Sequence, residues 1–316
     1  MFKLIINEWI KIFKRPGTYV MIGLLVLMVG GLASLSKYNE VKNTGDDQGD
    51  WKKELTQENV NHKKQLENGD ISKSYKQYLE KEVAINEYRI EHNLTPYSKE
   101  SVWSFTMNAS DLIQIVGLFV IVIAAGIVAS EFTWGTVKLL LIRPISRSKI
   151  LISKYITVML FGVTMLALMF SLSFILGAIL FGTGGENTYL AYIDGEVVEQ
   201  SMFLHLIKFY LLNSIGIFML STLAFLISSV FRNSSLAIGI SLFLLFTGGT
   251  VTYLISTKFD WAKYILFANT DLMQYENGTV LIEGMTPAFS VTMLIIYFVL
   301  FQFITFFFFN KRDVAA

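Results

Sequence analysis

The sequence has 316 residues, of which 53% are hydrophobic and 16% charged, with 26 basic and 25 acidic side chains and a formal net charge of +1. A soluble domain carries about a quarter charged residues, so a soluble globular chain is excluded, and a balance this close to neutral offers no footing for nucleic acid. Cysteine is absent, which excludes disulfides, thiol catalysis and Cys-ligated metals.

The charges are clumped. Between them lie six uncharged stretches, 16–36, 112–130, 155–185, 209–231, 233–257 and 284–310. A helix crossing the hydrocarbon core needs roughly 20 residues at about 1.5 Å each, and all six stretches qualify. The sequence therefore predicts an all-α integral membrane protein with six transmembrane helices. An N-terminal interfacial amphipathic helix and an external helical hairpin after the first span complete the expected fold.

In chain order, residues 1–15 place Phe2, Ile5, Ile6, Trp9, Ile10, Ile12 and Phe13 on one arc. Lys3, Asn7, Glu8, Lys11, Lys14 and Arg15 fall on the other. Such a helix is expected to lie in the membrane interface on the cytoplasmic side. Pro16 and Gly17 let the chain turn into the first span, 16–36, read as a retained signal anchor because no cleavage pattern follows it. Residues 37–110 are the one sizeable hydrophilic region, expected as an external pair of helices over 50–67 and 71–92 around the Asn68-Gly69-Asp70 turn. The second span is 111–130, and a cytoplasmic connection runs over 131–154. The third span is 155–181, an external loop covers 182–205, and the fourth and fifth spans are 206–231 and 233–255. An external aromatic segment, 256–287, is able to dip beside the fifth span. The sixth span is 288–310, with a cytoplasmic tail over 311–316.

Orientation follows from Lys and Arg near the helix ends. Twelve of them fall in the amino-terminal arm, the 131–154 connection, Arg232 and the tail, against only Lys258 and Lys263 in the two short loops opposite. Both termini are expected in the cytoplasm, in the plasma membrane. Within the spans, Ala125 with Ala129 and Ser173 with Gly177 have the small-xxx-small spacing of helix contacts. Gln114, Asn213 and Gln302 need polar partners, either from neighbouring helices or along a pathway.

Motifs for chemistry are absent from the sequence. No Gly-Lys dipeptide occurs, so no P-loop holds ATP. His62, His92 and His205 are scattered, and neither a zinc pair nor a G-x-S-x-G turn appears. No acid–base pair lies within the spans to relay protons. A membrane enzyme is disfavoured, and energy for any transport must come from another subunit.

The connection reads Glu131-Phe132-Thr133-Trp134-Gly135-Thr136, an apolar run 137–142, then Arg143-Pro144-Ile145-Ser146-Arg147. Pro144 biases Arg143 away from helix, and Ser146 is placed to cap the next one. A short surface helix between two spans is thus expected. The pattern of an acidic residue, a Gly-Thr pair, a leucine-rich turn and a Pro-x-Ser-Arg end resembles the permease subunits of ABC-2 type exporters. The large external loop and the stretch from Lys263-Tyr264-Ile265-Leu266-Phe267 to Asp271-Leu272 also resemble Gram-positive members associated with peptide-antibiotic export and immunity.

The resemblance implies a transport subunit without its own ATP site or other cofactor. Its partners would be two copies of an ATP-binding subunit, which hold ATP and Mg, together with a second permease subunit and membrane lipid. It carries coupling roles onto Glu131, Gly135, Thr136, Arg143, Pro144 and Arg147. An amphipathic substrate such as a peptide antibiotic, drug or lipid fits, with sodium ion as an alternative. A reading from a different class is a non-transporting sensor or assembly module that uses the external loop.

Overall fold

The computed structural model describes residues 1–42, 51–67, 71, 73–95, 100–136, 145–184, 188–193, 195–277 and 279–311. The apolar run 137–142, Arg143, Pro144, the 68–70 turn and Arg312 lie outside these residues.

The chain begins with α1 (Phe2–Phe13), which turns directly into α2 (Pro16–Lys42). Pro16 occupies the first helical position, where its missing N–H costs nothing. The Thr18 hydroxyl donates to the Ile12 carbonyl at 2.6 Å, tying the two helices at the bend. α2 continues six residues beyond the uncharged stretch. The Lys37 ammonium reaches the Leu180 carbonyl (3.0 Å) and Glu40 (2.7 Å), so its charge is satisfied without breaking the helix.

α3 (Trp51–Glu67) and α4 (Lys73–His92) pack as an antiparallel pair around Leu55, Leu79 and Val83. Asn86 donates to Asn59 at 3.0 Å, and Lys63 pairs with Glu87. Next come α5 (Val102–Ala109), a 3-10 turn (Ser110–Leu112) and α6 (Ile113–Thr133), which together form one span-length rod. α7 (Arg147–Phe181) begins eight residues before the expected third span, because helical structure continues through its basic first turns. Gly182, with φ 79, ends it.

Where a plain loop is expected, β1 (Thr188–Ile193) and β2 (Glu196–Ser201) form an antiparallel hairpin, a departure from an all-helical chain. α8 (Met202–Phe231) and α9 (Ser234–Ser256) are joined by left-handed Arg232 and the N-cap Asn233, whose side chain accepts from the Leu236 N–H at 3.0 Å.

The 256–287 segment contains a 3-10 turn (Asp260–Tyr264), α10 (Leu266–Asn269) and α11 (Gln274–Asn277). It folds back onto the bundle instead of standing away from it. Phe267 lies against Gly248 of α9 so closely that any Cβ there would overlap its ring, and Thr270 lies over Gly216 of α8. Asn269 donates to the Lys263 and Ile265 carbonyls and accepts from Ser290 of the last helix, α12 (Pro287–Lys311). With its polar groups satisfied in this way, the segment is able to sit beside apolar helices.

Six of these rods are long and apolar enough to cross a membrane: α2, α5–α6, α7, α8, α9 and α12. The most apolar stretches of α5–α6 and α8 are 67% buried, against 17–22% for the other four. α6 and α8 are therefore the axis, with α2, α7, α9 and α12 around it. At the centre, the Ser228 hydroxyl of α8 donates to the Ala125 carbonyl (2.6 Å) and accepts from the Ala129 N–H (3.1 Å). The small side chains at 125 and 129 permit this approach. Gly177 of α7 likewise meets Val102 and Phe105 of α5.

Candidate functional site

Where α6 ends, α7 begins and α1 lies across them, four charged side chains meet. The Lys154 ammonium donates to Glu8 Oε2 at 2.7 Å and to Glu131 Oε1 at 3.0 Å. Lys11 reaches Glu8 at 2.8 Å and Glu131 at 3.5 Å. The Lys154, Glu8 and Glu131 side chains are only 3%, 7% and 13% exposed, whereas that of Lys11 is 40% exposed. Charges withdrawn this far from water persist only when closely matched, and here two cations balance two anions. Glu131 also sits at the carboxyl end of α6, where the helix dipole disfavours an anion. Its neighbours Lys154 and Lys11 offset that.

The chain leaves α6 through a tight turn. The Trp134 N–H bonds to the Ser130 carbonyl at 2.9 Å and the Gly135 N–H to the Phe132 carbonyl at 3.2 Å. Gly135 adopts φ 69, a conformation that side-chain-bearing residues resist. The turn brings the Thr136 hydroxyl back onto Glu131, to which it donates a short hydrogen bond. Trp134 projects from the turn, 66% exposed, beneath the Arg15 guanidinium (5.6 Å), and Arg232 covers Phe132 at 4.3 Å.

Of the residues singled out from sequence, Glu131, Gly135 and Thr136 form one unit. Arg147 belongs elsewhere: it donates to the Asn310 carbonyl at 3.4 Å, joining the start of α7 to the end of α12. Ser146 takes the N-cap position, but its side chain makes no cap bond; its carbonyl accepts from Lys149 and Ile150 instead. Arg143 and Pro144 lie outside the described residues.

The three polar span residues are not brought together. Gln114 is exposed on α6, and Asn213 donates to the Phe209 carbonyl of its own helix at 2.9 Å. Gln302 holds a buried amide that makes no hydrogen bond among the described residues, and the Tyr155 hydroxyl bonds Thr222 at 2.9 Å.

Glu8, Lys11 and Lys154 are the site residues that sequence reasoning missed. Glu8 falls on the polar arc of α1, yet it is among the most buried residues of that helix, while Phe2, Ile6 and Ile10 point outward. The available signal was compositional: Glu8 is the single acid in an arm of four cations, and Lys154 is the last charge before the third span.

A second cluster lies at the opposite end of α8. His205 is 4% exposed and stacks on Tyr189 of β1 at 3.5 Å. Lys208 pairs with Glu276, Lys81 of α4 donates to the Glu276 carbonyl at 2.9 Å, and Tyr88 donates to Glu199 of β2 at 3.1 Å. Burial raises the Tyr189 phenol above its ordinary 10, aided by the carboxylates of Glu276 and Glu82. Among the described residues, no three His, Asp or Glu side chains gather as a metal site would require.

Six span-length apolar rods around a buried α6–α8 axis define a multi-pass helical membrane protein. Residues 83–315 match the family described as "Protein of unknown function (DUF2705)", and the chain belongs to that family. It is 51% identical over 319 residues to "Uncharacterized protein YhcI" of Bacillus subtilis, covering 100% of both chains. Over 215 residues it is 35% identical to "Uncharacterized membrane protein YdbK" of the same organism, covering 67% of this chain and 82% of that one.

Proposed function

We propose that this chain is the membrane-spanning subunit of an ABC-2 type ATP-driven exporter. In this reading a separate ATP-binding subunit, present in two copies, docks on the 131–154 connection, and a second permease subunit completes the pathway. The observation that carries it is the buried Glu8–Lys154–Glu131 network. A cytoplasmic partner pressing on the turn at 131–136 would bear on α6, α7 and α1 together, because one ammonium holds all three. Glu131 and Thr136 stiffen the turn, Gly135 shapes it, and Arg147 passes the displacement to α12. Arg143 and Pro144 take their coupling roles from the resemblance.

The finer topology belongs to the same proposal: both termini in the cytoplasm of a plasma-membrane protein, the α3–α4 pair outside, and α1 at the interface. The outward Phe2, Ile6 and Ile10 of α1 suit contact with lipid. The substrate is an amphipathic molecule such as a peptide antibiotic, drug or lipid.

The test is reconstitution with an ATPase encoded beside this chain. Alone, the chain hydrolyses no ATP; together, it alters the partner's turnover. Glu131→Ala, Gly135→Pro and Arg147→Ala each reduce that effect. Normal turnover in all three would overturn the coupling assignment.

A second reading has its own observation: α4 is bonded to β2 and to the 256–287 segment, so the external layer is fixed to α8. A sensor module would use that linkage to report an external ligand. Deleting 50–92 and losing a ligand response, with no transport detectable by the intact chain, would favour it.

A further inference from the structure

His205, in the first turn of α8, sits where the outer elements meet the bundle. It is 4% exposed, and its ring lies flat on that of Tyr189 of β1, 3.5 Å away with 12° between the planes. Phe209 stands along a second side at 6.2 Å. The buried Nε2 makes no hydrogen bond among the described residues. The charged and titratable groups facing this ring come from four elements. Lys208 is three residues on in α8, Lys81 comes from α4, Glu276 from α11 and Tyr189 from β1, and Glu82 of α4 acts on the Tyr189 phenol. Glu276 is engaged twice, its carboxylate by Lys208 and its backbone carbonyl by Lys81 at 2.9 Å. Glu199 of β2 accepts from Tyr88 of α4 at 3.1 Å. The joint between the outer layer and α8 is thus built around a side chain whose charge changes between neutral and mildly acidic pH.

We infer that His205 is an acid-operated release, whose protonation frees α4 and the β-hairpin from α8. A neutral imidazole suits a flat stack on a phenol in a space closed to water. An imidazolium there is costly unless it is paired. The carboxylate that acts on it, Glu276, already holds Lys208. The new cation therefore either stays unpaired or draws Glu276 away from Lys208. Both outcomes loosen the same joint, because Lys81 fastens α4 to the Glu276 backbone. The device is independent of the exporter reading; the topology proposed above says only that acid outside the cell is what reaches it.

The chain has no cysteine, so two introduced ones take spin labels alone. Glu91→Cys on α4 and Leu211→Cys on α8 are both exposed positions. The experiment is electron–electron double resonance on the full-length protein in detergent, at about pH 7.5 and about pH 5, on either side of the ordinary imidazole value. With His205 intact, a second population at longer distance is expected at the lower pH. His205→Phe keeps a ring to stack on Tyr189 but takes no proton, and it should hold the single shorter distance at both values. His205→Gln, smaller and equally unable to charge, should do the same and decides the matter should phenylalanine crowd the space. His62→Phe and His92→Phe, at the other two histidines of the chain, should leave the response intact. An unchanged distance with His205 present would overturn the proposal. So would a response that survives both His205 variants, or one that His92→Phe or His62→Phe abolishes. None of these arms involves an ATP-binding subunit, so failure here leaves the exporter reading untouched.

Discussion

The Lys154 ammonium stands between two carboxylates from different helices, 2.7 Å from Glu8 and 3.0 Å from Glu131. Removing that cation leaves two mostly buried anions facing each other with only half-exposed Lys11 for compensation. Lys154→Met should therefore cost about 3–5 kcal/mol of stability, and Glu8→Gln, which leaves a neutral hydrogen-bonding group, about 1–3 kcal/mol. Thermal unfolding in detergent checks the order. The Lys154→Met deficit should shrink as pH falls, because protonating one of two uncompensated carboxyls relieves their repulsion. Equal losses for the two variants would show that Lys154 is not the common partner.

Gly248 and Gly249 are neighbours with opposite surroundings. A Cβ at 248 overlaps the Phe267 ring, and one at 249 meets open space. Gly248→Ala should destabilise by about 1–3 kcal/mol through overpacking. Gly249→Ala should be neutral or slightly stabilising, since alanine is the better helix former. Combining Gly248→Ala with Phe267→Leu should recover part of the loss, which a double-mutant cycle on melting temperature would read.

Tyr189 supplies a pH signature. Its phenol is raised by burial and by the Glu276 and Glu82 carboxylates. The folded state therefore holds the proton to higher pH than the unfolded chain does. Its contribution to stability is complete below the ordinary value of 10 and is lost as pH climbs through the raised one. Tyr189→Phe should flatten the fall in melting temperature above about pH 10. An unchanged slope would mean that the ring ionises as freely in the native protein as in the unfolded one.

Trp134 is largely exposed and lies beneath the Arg15 guanidinium. Trp134→Ala should change the stability of the isolated protein by under about 0.5 kcal/mol, as surface substitutions do. Under the proposed function it should nonetheless weaken capture of the ATP-binding subunit, measured by co-purification. A large stability loss would make Trp134 a structural anchor instead.

Much of the architecture was legible because the bilayer imposes a length rule on uncharged sequence. Each of the six stretches became a rod, and the exposed outer helices needed no partner to be recognised. What escaped depended on other things. The burial of Glu8 arises only once α7 brings Lys154 beneath α1, a distance of 146 positions that no local periodicity encodes. The β-hairpin has a local signal, Asp194-Gly195 between Tyr- and Val-bearing segments, which charge patterning alone does not register. The way 256–287 folds back rests on side-chain bonds from Asn269 and Gln274, polar residues that read equally well as loop surface.

α7 runs without interruption from Arg147 to Phe181, 35 residues in all. At about 1.5 Å per residue this is a beam of roughly 52 Å, well beyond the thickness of the hydrocarbon layer. Lys154 is fastened near one end of it, and the Leu180 carbonyl is held by Lys37 at the other. A rotation of about ten degrees about one or the other fastening sweeps the opposite tip through roughly 7 to 9 Å, so the two faces of the protein share one mechanical member.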